Sequence, residues 1–373
     1  MAAFSLPDWL TKGDTTQLRN KVDGAKVRGR TIRCMIVSPA GPDTSIAHLL
    51  PKLRDAISAH PTAEARLLMA HAGPLRRKLG ALLPGRKRLA ALARTDVLIV
   101  HTALMMSAAD ILVARLLGRR VCAIYWDSYP DSFRRPWSDR SSLMLGLMGI
   151  VERFLLRRCD LILPPSEDYL TGLEKLGVGD RTHVLPMWPF TETDAPRATR
   201  PTEGLARVVF AGQVNHIRGL DHACAVLANA AHHCPVELHI YGDASNWIPP
   251  DAGKNLTIFK HGRVPQETVS AALSEFDFGL VSLHPDFDSA AFPSKSVSLI
   301  AAGLPILYIG PDLPAYGHFL ESCGVGTTMT ADATFDLSEA SSRHRADLPD
   351  AQKRALQALG IDRASIQAIL ATD

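Results

Sequence analysis

Phe292-Pro293-Ser294-Lys295-Ser296-Val297-Ser298-Leu299-Ile300-Ala301-Ala302-Gly303-Leu304 runs directly into Pro305-Ile306-Leu307-Tyr308-Ile309-Gly310. The first part reads as a helix opened by Pro-Ser-Lys and closed around Ala301-Ala302-Gly303, the second as an apolar strand. Working back from it, the same alternation begins at Arg207-Val208-Val209-Phe210-Ala211-Gly212. It continues through Val236 to Gly242, Leu256 to Phe259 and Phe278 to Leu283. Continuous apolar strands separated by helices predict a parallel sheet covered on both faces.

A second set of strands lies further upstream: Ile32 to Val37, Ala65 to Ala70, Val97 to Val100, Arg120 to Tyr125 and Leu161 to Leu163. Helical spacing fills the intervals Ile46 to Ala59, Ala108 to Leu117 and Leu143 to Arg158. Between the two sets, Pro189 to Glu203 is rich in Pro and Thr and breaks the rhythm as a linker would. The expected organisation is a polar N-terminal extension over 1–30, a Rossmann-like domain over 31–190 and a linker over 191–204. A second Rossmann-like domain over 205–336 and a charged helical tail over 337–373, leaning back on the first domain, would follow. Two doubly wound α/β halves place a cleft between them, and open parallel sheets bind ligands at the carboxyl ends of their strands.

The chain of 373 residues, 46% hydrophobic and 21% charged, has material for two cores. Its 41 Lys and Arg against 38 Asp and Glu leave a formal +3, too mild a balance for a nucleic-acid partner. The six cysteines, Cys34, Cys122, Cys159, Cys224, Cys234 and Cys323, form no Cys-x-x-Cys pair and no zinc spacing. Scattered thiols beside apolar runs point to a reduced, cytoplasmic protein. The first 30 residues lack the apolar core of a signal peptide, and no run is apolar and long enough to span a bilayer.

The second half resembles retaining glycosyltransferases of the family-4 type, which have the GT-B fold of two Rossmann-like domains facing each other across a cleft. In that family a strand leads into Gly-Arg and, four residues later, Lys-Gly; here Gln213 stands at the Arg position and Arg218-Gly219 fits the Lys-Gly. Leu238 to Asp243, His261-Gly262-Arg263-Val264-Pro265 and Asp277 to Leu280 match later landmarks in order. Pro293-Ser294-Lys295 followed by Ala301-Ala302-Gly303-Leu304-Pro305 is the strongest match. In the first half, Trp126-Asp127-Ser128-Tyr129-Pro130, Glu152 to Asp160, Pro165-Ser166-Glu167 and Val184 to Pro189 resemble the family more loosely. The resemblance implies a hexosyltransferase-type enzyme moving a sugar from a nucleotide-diphosphate sugar, with retention, to a polysaccharide or lipid-linked acceptor. It implies that 31–190 is the acceptor-side domain and 205–336 the nucleotide-sugar-binding domain, with no cofactor and no metal.

Breaking a sugar–diphosphate bond requires fixed cations and donors at the departing phosphate. Arg218 and Lys295 are the candidates, Arg with a planar fork and Lys with a compact charge; Asp127, at a strand's carboxyl end, is the candidate to orient or deprotonate an acceptor hydroxyl. Free N–H groups where Pro293-Ser294-Lys295 opens its helix suit a diphosphate, while Gly212 and Gly219 let backbone approach it. The plain alternative makes Arg218 and Lys295 solvated surface cations and Asp127 a turn cap. His101, after its strand, is a further cleft candidate.

The sequence departs from the family at its Glu-x7-Glu pair, whose positions fall on Ala290 and Ser298. Ser298 offers a ribose hydroxyl only a weaker partner, and Asp286 or Asp288 can replace the first Glu after a loop shift. These departures motivate an alternative, a catalytically silent GT-B protein that binds a nucleotide or partner. Asp286-Phe287-Asp288 reads as an exposed acidic loop rather than a metal clamp. A nucleotide-sugar epimerase would need acidic and His groups that the pattern does not place in the cleft, and no Gly-x-Gly-x-x-Gly follows the first strand to suggest a dehydrogenase. Leu75 to Arg94 is basic and apolar, fit for peripheral contact with an anionic membrane at the inner face of the plasma membrane; an ordinary surface helix and loop is the competing reading.

Overall fold

The structure is a computed structural model that describes residues 31–39, 46–69, 86–101, 104–127, 142–189, 204–232, 234–251, 253–329 and 337–371. The N-terminal extension, Leu75 to Gly85 of the basic stretch, Tyr129 and nearly all of the linker lie outside the described residues. Contacts divide the chain into two units. One runs to Phe190 and takes in Ser289–Phe292 and Gly360–Asp373; the other holds Thr191–Asp288 and Pro293–Leu359.

The first unit carries β1 (Ile32–Ser38), α1 (Ile46–Ser58), β2 (Ala63–Met69), α2 (Arg86–Ala93), β3 (Val97–His101), α3 (Ala108–Leu116), β4 (Arg120–Ile124), α4 (Ser142–Leu156), β5 (Leu161–Leu163) and α5 (Leu170–Lys175). Its strands are all parallel, in the order β2-β1-β3-β4-β5. Every residue of β3 is buried, the mark of a strand covered on both faces. Met35, Val37, Leu98, Val100, Val121, Ala123 and Ile162 pack with Ile111, Ala114, Leu155 and Leu156 into one core. The chain steps from β1 out to β2, then back past β1 to β3, β4 and β5. Right-handed crossovers therefore put α1 on one face of the sheet and α2, α3 and α4 together on the other.

The second unit carries β6 (Ala206–Ala211), α6 (Leu220–Ala230), β7 (Val236–Tyr241), β8 (Leu256–Gly262), α7 (Gln266–Ala272), β9 (Phe278–Ser282), α8 (Ser294–Ala301), β10 (Ile306–Ile309), α9 (Pro314–Cys323), β11 (Gly326–Met329) and α10 (Leu337–Ala358). The sheet is again parallel, in the order β11-β10-β9-β6-β7-β8. β9 and β10 are buried throughout. β7 alternates instead: Val236, Leu238 and Ile240 pack with Ala223, Cys224 and Leu227 of α6. Its other face carries Glu237, His239 and Tyr241, with the Tyr241 and His261 rings stacked at 4.3 Å and His239 and Phe259 at 4.7 Å.

The two helices after β11 belong to different units. Leu337 and Ala340 of α10 join the core of the second unit, and Gln352 donates to the Ile300 and Ala301 carbonyls at the end of α8. The last helix, α11 (Arg363–Leu370), is capped by Asp362, which accepts from the Ser365 N–H at 2.7 Å. It belongs to the first unit, where Arg120 donates to the Ala368 carbonyl and His183 meets Ser365 at 3.1 Å. All six cysteines are buried and unbonded to one another.

Candidate functional site

In the second sheet the direction of winding reverses between β6 and β9. The crevice beyond their carboxyl ends is where such sheets take ligands. The backbone there is drawn tight by glycines. Gly212 follows β6 and donates to the Tyr241 carbonyl at 2.9 Å; a methyl group on Gly242 would stand 1.9 Å from the Gly212 carbonyl oxygen. The loop then makes one turn of 3-10 helix over His216–Arg218 and ends at Gly219, whose φ of 57° is the left-handed conformation that glycine adopts without strain. His284, just past β9, donates its N–H to the Ile217 carbonyl at 2.7 Å and locks the loop to the sheet.

Lys295 enters this place from α8. Its Cε approaches to 3.9 Å from where a side chain on Gly212 would begin, so the ammonium stem lies over the end of β6. The Lys295 side chain keeps solvent access, yet it is crowded. Burial first, and the charge of Arg218 second, lower its pKa from the ordinary lysine value. Two cations that motif matching had placed in separate segments are thus close enough to repel. α8 is fixed beneath them by a buried hydrogen bond of 2.6 Å between Ser296 and Tyr316, and by Leu299 packed against Gly279. Pro293 is buried and occupies the N-cap of α8 with no side-chain cap; Ser294, half-buried, is the first helical residue. The opening N–H groups of such a helix have no partner within it.

The remaining candidates are dispersed. Gln213 is exposed on the loop. Ser298 donates its hydroxyl to the Lys295 carbonyl at 3.0 Å, which leaves its lone pairs for a further partner. Asp288 is exposed on the loop after β9, and Asp286 in the same loop donates its N–H to the His284 ring at 3.2 Å. Among the described residues no three His, Cys, Asp or Glu side chains form a metal-holding group. Ala290 packs against the core of the first unit, to which Ser289–Phe292 belongs.

Two polar atoms that sequence reading missed lie in the same part of the second unit. Asn215 Oδ1, in the loop after β6, and Ser282 Oγ, at the end of β9, are buried without a hydrogen-bond partner among the described residues. Buried polar atoms are nearly always paired, and a water or a ligand group can supply the partner of each. Gly242, standing directly after a strand, was legible as a turn residue; the orphan atoms carry no sequence signal.

In the first unit the winding reverses between β1 and β3. Ser38 and His101 end those strands and meet there at 3.3 Å. Burial lowers the His101 pKa to about 3, so the ring is neutral, and Trp126 contacts it edge-on at 4.9 Å. Asp127 is exposed just beyond β4, after the buried Tyr125 and Trp126; the Tyr169 hydroxyl donates to the Trp126 carbonyl at 2.7 Å and fixes that corner.

Comparison with known proteins agrees with this layout. Residues 27–188 match the model of Glycosyltransferase Family 4. Among solved structures, the chain is similar to the apo form of the lipopolysaccharide outer core galactosyltransferase WaaB. The TM-score is 0.61 at 11% identity over 90% of this chain and 98% of that one. A mutant of the Thermobaculum terrenum O-GlcNAc transferase is similar with a TM-score of 0.53 at 13% identity, over 91% of this chain and 66% of that one. The fold is that of the GT-B glycosyltransferases, two parallel-sheet α/β units. No curated protein sequence matches the chain.

Proposed function

We propose that the protein is a metal-independent retaining glycosyltransferase of the hexosyl type, and that Arg218 and Lys295 hold the diphosphate of its nucleotide-sugar donor. The observation that carries this reading is the like-charge pair beside Gly212 at the winding reversal of the second sheet. A diphosphate brings negative charge that both cations attract, and its oxygens favour the charged ammonium of Lys295. The opening N–H groups of α8 add neutral donors for the same oxygens. Ser298 then takes a ribose hydroxyl, with Pro293, Ser294, Gln213, Gly219 and Asp288 lining the donor.

In the reaction the bond between the sugar anomeric carbon and the β-phosphate oxygen breaks, and its electron pair leaves with the nucleoside diphosphate. The acceptor hydroxyl, part of a polysaccharide or lipid-linked glycan, forms the new bond on the same face of the sugar and passes its proton to the oxygen of the departing diphosphate. Asp127 orients that hydroxyl. Charge on the departing diphosphate is met by Arg218 and Lys295, the role a divalent ion plays elsewhere. Leu75 to Arg94 brings the protein to an anionic membrane where lipid-linked acceptors reside.

A second reading, a silent binding protein, is favoured by one feature: Ala290 and Ser298 stand where the family resemblance expects carboxylates. Incubation of the purified protein with sugar donors of UDP, GDP, ADP and TDP decides between them. The transferase reading expects release of one nucleoside diphosphate in a chelator-containing buffer and its loss in Lys295→Ala. Binding of a nucleotide with no turnover of its sugar, with or without candidate acceptors, would favour the silent protein.

A further inference from the structure

We propose that α4, with α2 and α3 beside it, is a seat for an anionic lipid surface. The outer ridge of α4 is apolar: Leu143, Leu147, Ile150 and Phe154 fall within one narrow stripe of the helix and are 88%, 60%, 67% and 43% exposed. Opposite them Leu145, Leu155 and Leu156 are buried against the sheet, so the helix is apolar inside and out. Burial in the fold accounts for the inner stripe and leaves the outer one unexplained. Single exposed leucines are ordinary; a continuous ridge of four large apolar side chains is not. The neighbouring α3 adds Leu112 and Leu116, the latter 86% exposed, and α2 adds Leu89.

The charges on this layer select the occupant. The three helices contain two carboxylates, Asp110 and Glu152, and both are turned inward, 1% and 2% exposed. Most of their cations point the other way: Arg86 and Lys87 on α2 and Arg153 on α4 are exposed, with Arg157 exposed one turn beyond. Arg88 turns in to Asp110, and Arg115 pairs with Asp160 at 2.6 Å. Arg158 lies over the Phe154 ring at 3.3 Å, carrying a cation to the rim of the ridge. An apolar ridge edged by cations and free of outward carboxylates within these helices matches a bilayer interface, where side chains enter the acyl boundary and arginines meet anionic headgroups. No described helix is long and apolar enough to cross a membrane, so α4 lies in the plane of the surface. The seat takes in α2, the described end of the basic stretch Leu75 to Arg94, and so deepens that membrane reading by adding α4; it does not rest on the sugar-transfer reading.

Flotation of the full-length protein with vesicles tests it. Wild type is expected to float with vesicles of phosphatidylcholine containing about a third phosphatidylglycerol, and to stay behind with phosphatidylcholine alone. Leu147→Glu with Ile150→Glu, on the exposed ridge, is expected to keep the wild-type melting temperature and to lose at least about tenfold in bound fraction. Arg153→Glu with Arg157→Glu should weaken flotation and flatten its salt dependence. Wild type that fails to float with anionic vesicles would overturn the proposal. So would unchanged flotation of the Leu147→Glu, Ile150→Glu variant. A dimer in light scattering that this variant dissolves, with no vesicle binding, would assign the ridge to a second copy of the chain instead.

Discussion

Gly219 and His284 are in direct backbone contact: a methyl group on Gly219 would stand 2.6 Å from the His284 Cα and 3.0 Å from the Leu283 carbonyl oxygen. The loop bearing Arg218 is thereby pressed onto the end of β9, and this is possible only for a residue without a Cβ and with φ of 57°.

Gly219→Ala therefore has to move backbone on one side or the other. The expected loss of stability is about 1–3 kcal/mol from overpacking, with about 1 kcal/mol more for a left-handed alanine. Nucleotide affinity should fall with it, because Arg218 is the adjacent residue. Thermal melting together with nucleotide titration checks both. A variant with wild-type melting and wild-type affinity would mean that the loop is not held as described.

The charge pair makes a prediction about pH. Lys295 has a lowered pKa before any anion arrives, from burial and then from Arg218. A bound diphosphate favours the charged ammonium and raises that pKa, so binding takes up a proton once the pH exceeds the value in the free protein. Nucleotide affinity should consequently decline with rising pH through the alkaline range. In Arg218→Ala, affinity is weaker overall but its decline starts at higher pH, since one cause of the lowering is gone. Calorimetric titration at a series of pH values reads both effects, and a flat profile for wild type would contradict the account.

Glu152 offers a test of the first unit's core that does not depend on any ligand. It lies on the inner side of α4, neither carboxyl oxygen has a partner among the described residues, and burial raises its pKa to about 8. Between the unfolded value near 4.5 and this folded value the native state holds a proton that the unfolded chain has released. Stability is therefore full below the unfolded pKa and is lost as pH rises toward 8. The loss is on the order of a few kcal/mol, at about 1.4 kcal/mol per pKa unit. Glu152→Gln should remove this slope: its melting temperature changes less than that of wild type between pH 5 and pH 8. Parallel profiles would show that Glu152 is solvated or paired in solution.

Much of the fold was legible because parallel strands buried on both faces appear as unbroken apolar runs. Val97 to Val100 and Phe278 to Leu283 could hardly be anything else. β11 was not read, since Gly326-Thr327-Thr328-Met329 is short and half polar; pairing with β10, not its own composition, makes it a strand. The sequence predicts that the whole tail over 337–373 leans back on the first domain, but only Gly360–Asp373 belongs to that unit. Nothing local foretells the division, because the contacts of Arg120 with Ala368 and His183 with Ser365 join residues far apart in the chain. The same limit applies to the site. Arg218 and Lys295 were readable as motif residues, while their mutual repulsion exists only after β6 and α8 are brought together. For α4, periodicity identified an amphipathic helix but not that apolar residues occupy its outer face as well as its inner one.

The most direct test of the central claim is calorimetric titration of the protein with UDP, GDP, ADP and TDP in a chelator-containing buffer, repeated with Lys295→Ala. The account predicts that one nucleoside diphosphate binds without a divalent ion, and that the substitution weakens it by about tenfold to a hundredfold, the worth of a charge-assisted contact. Binding of equal strength to wild type and Lys295→Ala, or no binding of any of the four, would contradict it.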